Sequence, residues 1–189
     1  GHSKTDYTDD LQTLLKANNY DLTVVSDSIV NSVSSDFDAV IIAAPTTDFL
    51  GSELDALSAF LDNDGKLGKG LVFFADASAP YLANLYDFLS EWGIEVEEGI
   101  LFETNSQNHI PDDPMTMGIY PTDSQNELTS GMQLCITGYN VPMSIGFESK
   151  GSITVTSVMS SLESTVAAPV GTAADWSGYG DYAEKSYPA

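Results

Sequence analysis

Apolar runs and helical stripes alternate along the first hundred residues of the chain. "YTDDLQTLLKANNY" puts Leu11, Leu14 and Leu15 on one face behind Thr8, Asp9 and Asp10, which suit the positive end of a helix dipole. A helix is predicted there. "DLTVV" (Asp21 to Val25), "DAVIIAA" (Asp38 to Ala44) and "GLVFFAD" (Gly70 to Asp76) are short, β-branched apolar runs of the kind found in parallel strands covered on both faces. Their strand cores are placed at Thr23 to Val25, Val40 to Ala43 and Leu71 to Phe74. Between the second and third runs, Leu54, Leu57, Phe60 and Leu61 return to helical spacing, and Asp64-Gly65 offers a left-handed cap. "PYLANLYDFLSEWG" reads as the next helix, with Pro80 in its first turn, and "IEVEEGILFE" leads into another strand near Gly99 to Phe102.

The second half is less regular. Pro111, Pro114 and Pro121 interrupt "TNSQNHIPDDPMTMGIYPTDSQNELTSG" and forbid a continuous helix, so this stretch reads as a long loop. "MQLCITGY", "MSIGFES" and "SITVTSVMS" are strand-like. From Ala173 the tail "AADWSGYGDYAEKSYPA" is rich in Gly and Tyr and reads as irregular.

This order of elements predicts one α/β domain spanning 1–189, a three-layer sandwich with a mainly parallel sheet of flavodoxin or Rossmann-like topology. Residues 1–104 form its regular βα half, 105–172 an irregular loop plus strands, and 173–189 an aromatic tail. The expected core contains Leu11, Leu15, Val24, Ile41, Ile42, Leu57, Leu61, Phe73, Leu85, Leu89 and Trp92.

Charge narrows the function. The chain carries 28 Asp plus Glu against 6 Lys and no Arg, for a net charge of −22. Such a surface repels phosphate backbones and lacks the guanidinium fork that grips them, which excludes nucleic acid as a partner and disfavours an anionic membrane. No stretch reaches the roughly 18 to 20 apolar residues of a membrane-spanning helix. Any membrane attachment would therefore run through helices outside this chain.

Candidate chemistry is sparse. A nucleophile needs an activating base, yet the single Cys135 lies in an apolar run far from His2 and His109. Ser78 in "FADASAP" follows a strand but lacks the flanking glycines of a nucleophile elbow. The turn "AAPTTD" reads as a shape element, in which Pro45 ends a strand and Thr46, Thr47 and Asp48 satisfy backbone donors. "DNDGK" at Asp62 to Lys66 has its Gly too early for a calcium loop, and Lys66 takes a ligand position, so it reads as a helix-to-strand turn. Glu95, Glu97 and Glu98 with Glu103, or Asp112 and Asp113, could hold calcium outside the cell, but read first as solvated acidic loops. No catalytic residue, cofactor site or metal site is assigned.

The series "GHSK…YTDDLQTLLKANNYDLTVV", "DFDAVIIAAPTTDFLGSELDALSAFLDNDGKLGKGLVFFAD" and "LANLYDFLSEWGIEVEEGILFE" resembles the GldG-like auxiliary family of ABC transport systems. The likeness runs from Gly1 to Phe102 and more loosely, through "NELTSGM" and "TVTSVMSSLEST", to Ala168. It implies a non-catalytic extracytoplasmic domain, tethered at the membrane and associated with an ABC permease or a sibling subunit. The implied fold is similar to the class I glutamine amidotransferase-like sandwich, with relatives among intraflagellar transport subunits. The family places a central strand just before Gly1, so that strand is expected either to precede this sequence or to be supplied by a partner.

Two other readings stay open beside it. One is a glycan- or small-solute-binding module, using a cleft at the strand carboxyl ends near Thr46, Asp48, Asp76 and Ser78. The other is an unorthodox or degenerate hydrolase. For partner contact the candidate surface is Met115, Met117 and Tyr120 in the proline-interrupted loop, with Trp176, Tyr179 and Tyr182 in the tail.

Overall fold

The computed structural model describes residues 5–25, 32–123 and 125–189. Two units divide the chain, Gly1–Leu85 and Tyr86–Ala189, and each has its own architecture.

In the first unit, α1 (Thr5–Ala17) follows the predicted leucine stripe. It ends where Asn19 adopts a left-handed φ of 63° and the Asn18 side chain donates to the Leu14 carbonyl. β1 (Ala39–Ala43) and β2 (Gly70–Phe74) pair in parallel, with Val40 opposite Leu71 and Ile42 opposite Phe73. Between them, α2 (Gly51–Asp62) buries Ala56, Leu57, Phe60 and Leu61. Glu53 is buried too, and its carboxylate accepts the Leu50 N–H at the helix start. The turn after α2 is made by Asp62, which accepts the Gly65 N–H at 2.9 Å, and by Asn63 and Asp64 in left-handed conformations. Lys69 anchors the approach to β1 by donating to the carbonyls of Ser35 and Phe37.

The expected strand at Thr23 to Val25 is not formed. Residues 21–25 belong to no strand, and Val24, placed in the core by its β-branched run, is 64% exposed. β-propensity records how well a side chain fits a half-buried pleated surface, and a segment without a ladder has none to fit. Ile41 is likewise 38% exposed rather than core.

α3 (Ala83–Glu91) begins three residues later than Pro80. Beyond it, the second unit holds no further α-helix among its described residues, and its strands are antiparallel: β3 (Ile94–Val96) with β8 (Met143–Ile145), β4 (Ile100–Glu103) with β12 (Thr165–Ala168), and β9 (Ser149–Lys150) with β10 (Ile153–Thr154). The longest strand, β6 (Asp113–Pro121), pairs with β5 (His109–Ile110), β7 (Cys135–Gly138) and β11 (Met159–Ser160).

These pairings overturn the mainly parallel three-layer sandwich. Tight turns join β5 to β6 and β9 to β10 and favour antiparallel return, since a parallel neighbour needs a crossover long enough for a helix, whereas β3–β8, β4–β12 and β6–β11 pair antiparallel across long stretches of sequence. β6 also overturns the loop reading of this stretch. Proline forbids a helix interior, yet Pro114 and Pro121 lie near the two ends of the strand, and Met115, Met117 and Ile119 alternate into the core between them.

Leu101, Met117, Ile119 and Tyr187 form one buried cluster, against which Met159 and Ala167 pack. Trp92, expected fully inside, is only partly buried and lies 6.5 Å from the Phe88 ring. Gly93 follows it at a φ of +82°, and a Cβ there would stand 2.6 Å from the Val155 side chain. Only glycine fits that turn.

Candidate functional site

The parallel pairing of β1 and β2 sends both following loops from the same sheet end, where the Ala44 N–H donates to the Phe74 carbonyl at 2.9 Å. Ala44 itself has a left-handed φ of 44°, which is strained for a residue with a side chain. Its methyl group offers no chemistry at that bend.

Asp48, in the loop after β1, is committed elsewhere. One carboxylate oxygen accepts the N–H of Phe49 at 2.8 Å and of Leu85 at 3.2 Å, and the other accepts the N–H of Asn84 at 2.9 Å. Asn84 and Leu85 stand in the first turn of α3, whose N–H groups have no partner within the helix. Asp48 therefore caps a helix that begins 35 residues downstream, and its charge suits the positive helix end. The Asn84 side chain completes the clasp by donating to the Phe49 carbonyl at 2.9 Å. This explains the late start of α3: the cap comes from another loop, and Pro80 is not needed.

Asp76 accepts both the N–H of Ser78 at 2.7 Å and its hydroxyl at 2.6 Å, the geometry of a local Asx turn. Of the four candidate cleft residues, Asp76 and Ser78 are thus brought together, Asp48 is turned to α3, and Thr46 is exposed. A separate groove of about 420 Å³ runs along α2, lined among others by Val33, Ser35, Ser52, Asp55, Ala59 and Asn63. None of the four cleft residues lines it.

His2 lies outside the described residues. His109 makes a ring contact with the Ile110 carbonyl at 2.7 Å, and the Cys135 thiol lies 3.9 Å from the Ile136 carbonyl. No group of acidic, His or Cys side chains among the described residues could hold a metal ion. No helix among them is long and apolar enough to cross a membrane.

The candidate partner surface is rearranged. Met115 and Met117 are buried, Met117 completely, because they point inward from β6. They belong to the core and leave the surface, while Tyr120 is half-buried. The tail is ordered around its rings. Trp176 meets Phe102, Tyr179 and Tyr182 edge to face at 5.4, 5.1 and 5.0 Å. A Cβ at Gly178 would fall 2.5 Å from the Trp176 indole nitrogen, so the chain passes here only as glycine. Tyr182 stays exposed and Trp176 half-exposed, at the rim of the cluster. Burial pushes the Tyr179 phenol above its usual pKa. It does the same to Tyr187, with help from the Glu97 charge.

Sequence reasoning missed the final residues. Tyr187 exchanges bonds with Ser161, its carbonyl accepting the Ser161 N–H at 2.9 Å and its N–H donating to the Ser161 hydroxyl at 3.0 Å. Lys185 donates to Thr165 and Ala189 to Met159. Tyr187 is one of four aromatics in this tail, and nothing in their spacing tells which of them is buried.

No protein-family model matches the chain, and no curated protein matches it. Among solved structures it is similar to the "mmIFT52 N-terminal domain", with a TM-score of 0.56 and 16% sequence identity over 73% of this chain. The match spans 60% of that chain's length. At this identity the likeness concerns fold alone. It sets the architecture beside that domain, in place of the mainly parallel Rossmann-like sandwich expected from the sequence.

Proposed function

We propose that this chain is a non-catalytic interaction domain, the extracytoplasmic part of an auxiliary subunit of an ABC transport system. Asp48 is the observation that carries the non-catalytic reading. A general base in this loop would need a lone pair directed at a substrate, and the Asp48 carboxylate is held by three backbone N–H groups instead. The loop that an α/β enzyme would use for chemistry here fixes the start of a helix.

The transport assignment and the location outside the cytoplasm rest on the resemblance of Gly1 to Phe102 to the GldG-like family. A net charge of −22 leaves attraction to a permease or sibling subunit to apolar contact, for which exposed Tyr182 and half-exposed Trp176 form the aromatic rim. The test is co-purification of the chain with the cognate permease from detergent-solubilised membranes. Retention that falls when Tyr182 is replaced by Ser, and persists when Thr46 is replaced by Ala, supports the reading. A chain that retains no permease, yet binds a glycan or solute in a manner dependent on Thr46 and Asp76, overturns it.

A further inference from the structure

β7 is hydrogen-bonded to β6 along one edge, in regular register from Thr116–Gly138 to Ile119–Cys135. No strand among the described residues pairs with its other edge. Free edges of this kind are templates for another chain unless shortness, charge, proline or a bulge blunts them; β7 is four residues long and carries no charge, proline or bulge. The segment leading into it is apolar and exposed at alternate positions, through Met132, Leu134 and Ile136, the last at 57%. Leu128 nearby is 80% exposed. Apolar side chains gathered beside an open edge mark a surface that is covered in use.

Charge decides what covers it. From Leu128 to Phe147 the sequence contains no Asp, Glu, Lys or His, although the chain as a whole stands at −22. A basic partner finds no carboxylate to pair with on this edge, and an acidic one finds no lysine. A second copy brings the same uncharged edge. An antiparallel strand is also self-complementary across a two-fold axis, so β7 of one copy continues the β6–β7 ladder into β7 of the other.

The geometry points to β7 as the strand through which two copies of this chain pair edge to edge, with Leu134 and Ile136 of each copy packed at the symmetric junction. This inference stands apart from the transport reading.

Sedimentation equilibrium over a range of protein concentration, at low and high salt, tests it. The expected result is a monomer–dimer equilibrium that tightens with salt, because screening relieves the repulsion between two acidic copies. Ile136→Lys sets like charges across the junction and desolvates them, and dimerisation should weaken by about tenfold or more. Position 136 is exposed, so the far-ultraviolet circular dichroism of the variant should match the parent. Mixing Ile136→Lys with Ile136→Asp should restore a dimer that neither forms alone at the same concentration. A chain that stays monomeric at every concentration and salt overturns the inference, as does a dimer indifferent to Ile136→Lys. A monomer that instead captures an uncharged β-forming peptide, in an Ile136-dependent way, also overturns it and makes β7 a docking strand for a different chain.

Discussion

Asp48 and Tyr187 do the same work by opposite means. In the first unit, a carboxylate on a loop closes the structure by capping α3, and everything around it is built from helices and strands that local periodicity defines. In the second, an aromatic ring close to the end of the sequence closes a core whose other members, Leu101, Met117 and Ile119, come from β4 and β6 far upstream. One closure is electrostatic and partly exposed, and the other is apolar and buried. The contrast teaches that loss of the second should be much more costly, since a buried cavity removes many contacts while a lost cap removes a few hydrogen bonds.

The sharpest way to break this comparison is to truncate the ring. Tyr187→Ala is expected to destabilise the chain by about 3 kcal/mol, in the range for large-to-small changes at a fully buried aromatic. Guanidinium unfolding followed by tryptophan fluorescence measures it. A loss under about 1 kcal/mol would mean that the C-terminal segment is not part of the core. Next in size, Asp48→Ala should cost about 1 to 2 kcal/mol by uncapping α3, and Asp48→Asn should retain part of that, since an amide oxygen still accepts. Equal losses in the two variants would show that the charge, rather than the accepted hydrogen bonds, is what matters.

A third test uses pH. Tyr179 and Tyr187 both have folded pKa values raised by burial, so the folded state holds their protons more tightly than the unfolded state does. Their contribution to stability is fully present below the ordinary tyrosine value of 10.0 and declines as pH rises through the folded values. Denaturation midpoints should therefore fall above that pH, and less so in Tyr187→Phe, which has no proton to lose. Smallest of all, Val24→Thr should change stability by no more than about 0.5 kcal/mol, as usual for an exposed position. A larger loss would show that residues 21–25 take part in packing.

How much of this was legible in the sequence differs between the units for a physical reason. The leucine stripe of α1, the spacing of α2 and the parallel pairing of β1 with β2 follow from local periodicity, and the Asp62–Gly65 turn follows from turn chemistry. The strand expected at Thr23 to Val25 failed because a β-branched run states a preference and supplies no partner. β6 was hidden by its prolines, although "PMTMGIY" alternates in the period of a strand, and reading Met115 and Met117 as a surface followed from that one error. In the cleft, the prediction that Asp48 satisfies backbone donors was right in kind. Its target, the first turn of α3, lies too far along the chain for spacing to reveal.

The position of Tyr187 also bears on how the chain is made. Synthesis runs from the N-terminus and domains tend to fold as they emerge. The first unit has Asp48 and the α3 residues it clasps in hand once residue 85 has emerged. The second unit must wait, because the ring that completes its core and the backbone groups of Lys185 and Ala189 that tie down β11 and β12 emerge only after β4, β6, β11 and β12 have done so. Until then β6 and β12 stand with an unfilled face, and a nascent chain stalled short of residue 187 exposes Leu101, Met117 and Ile119 to chaperones.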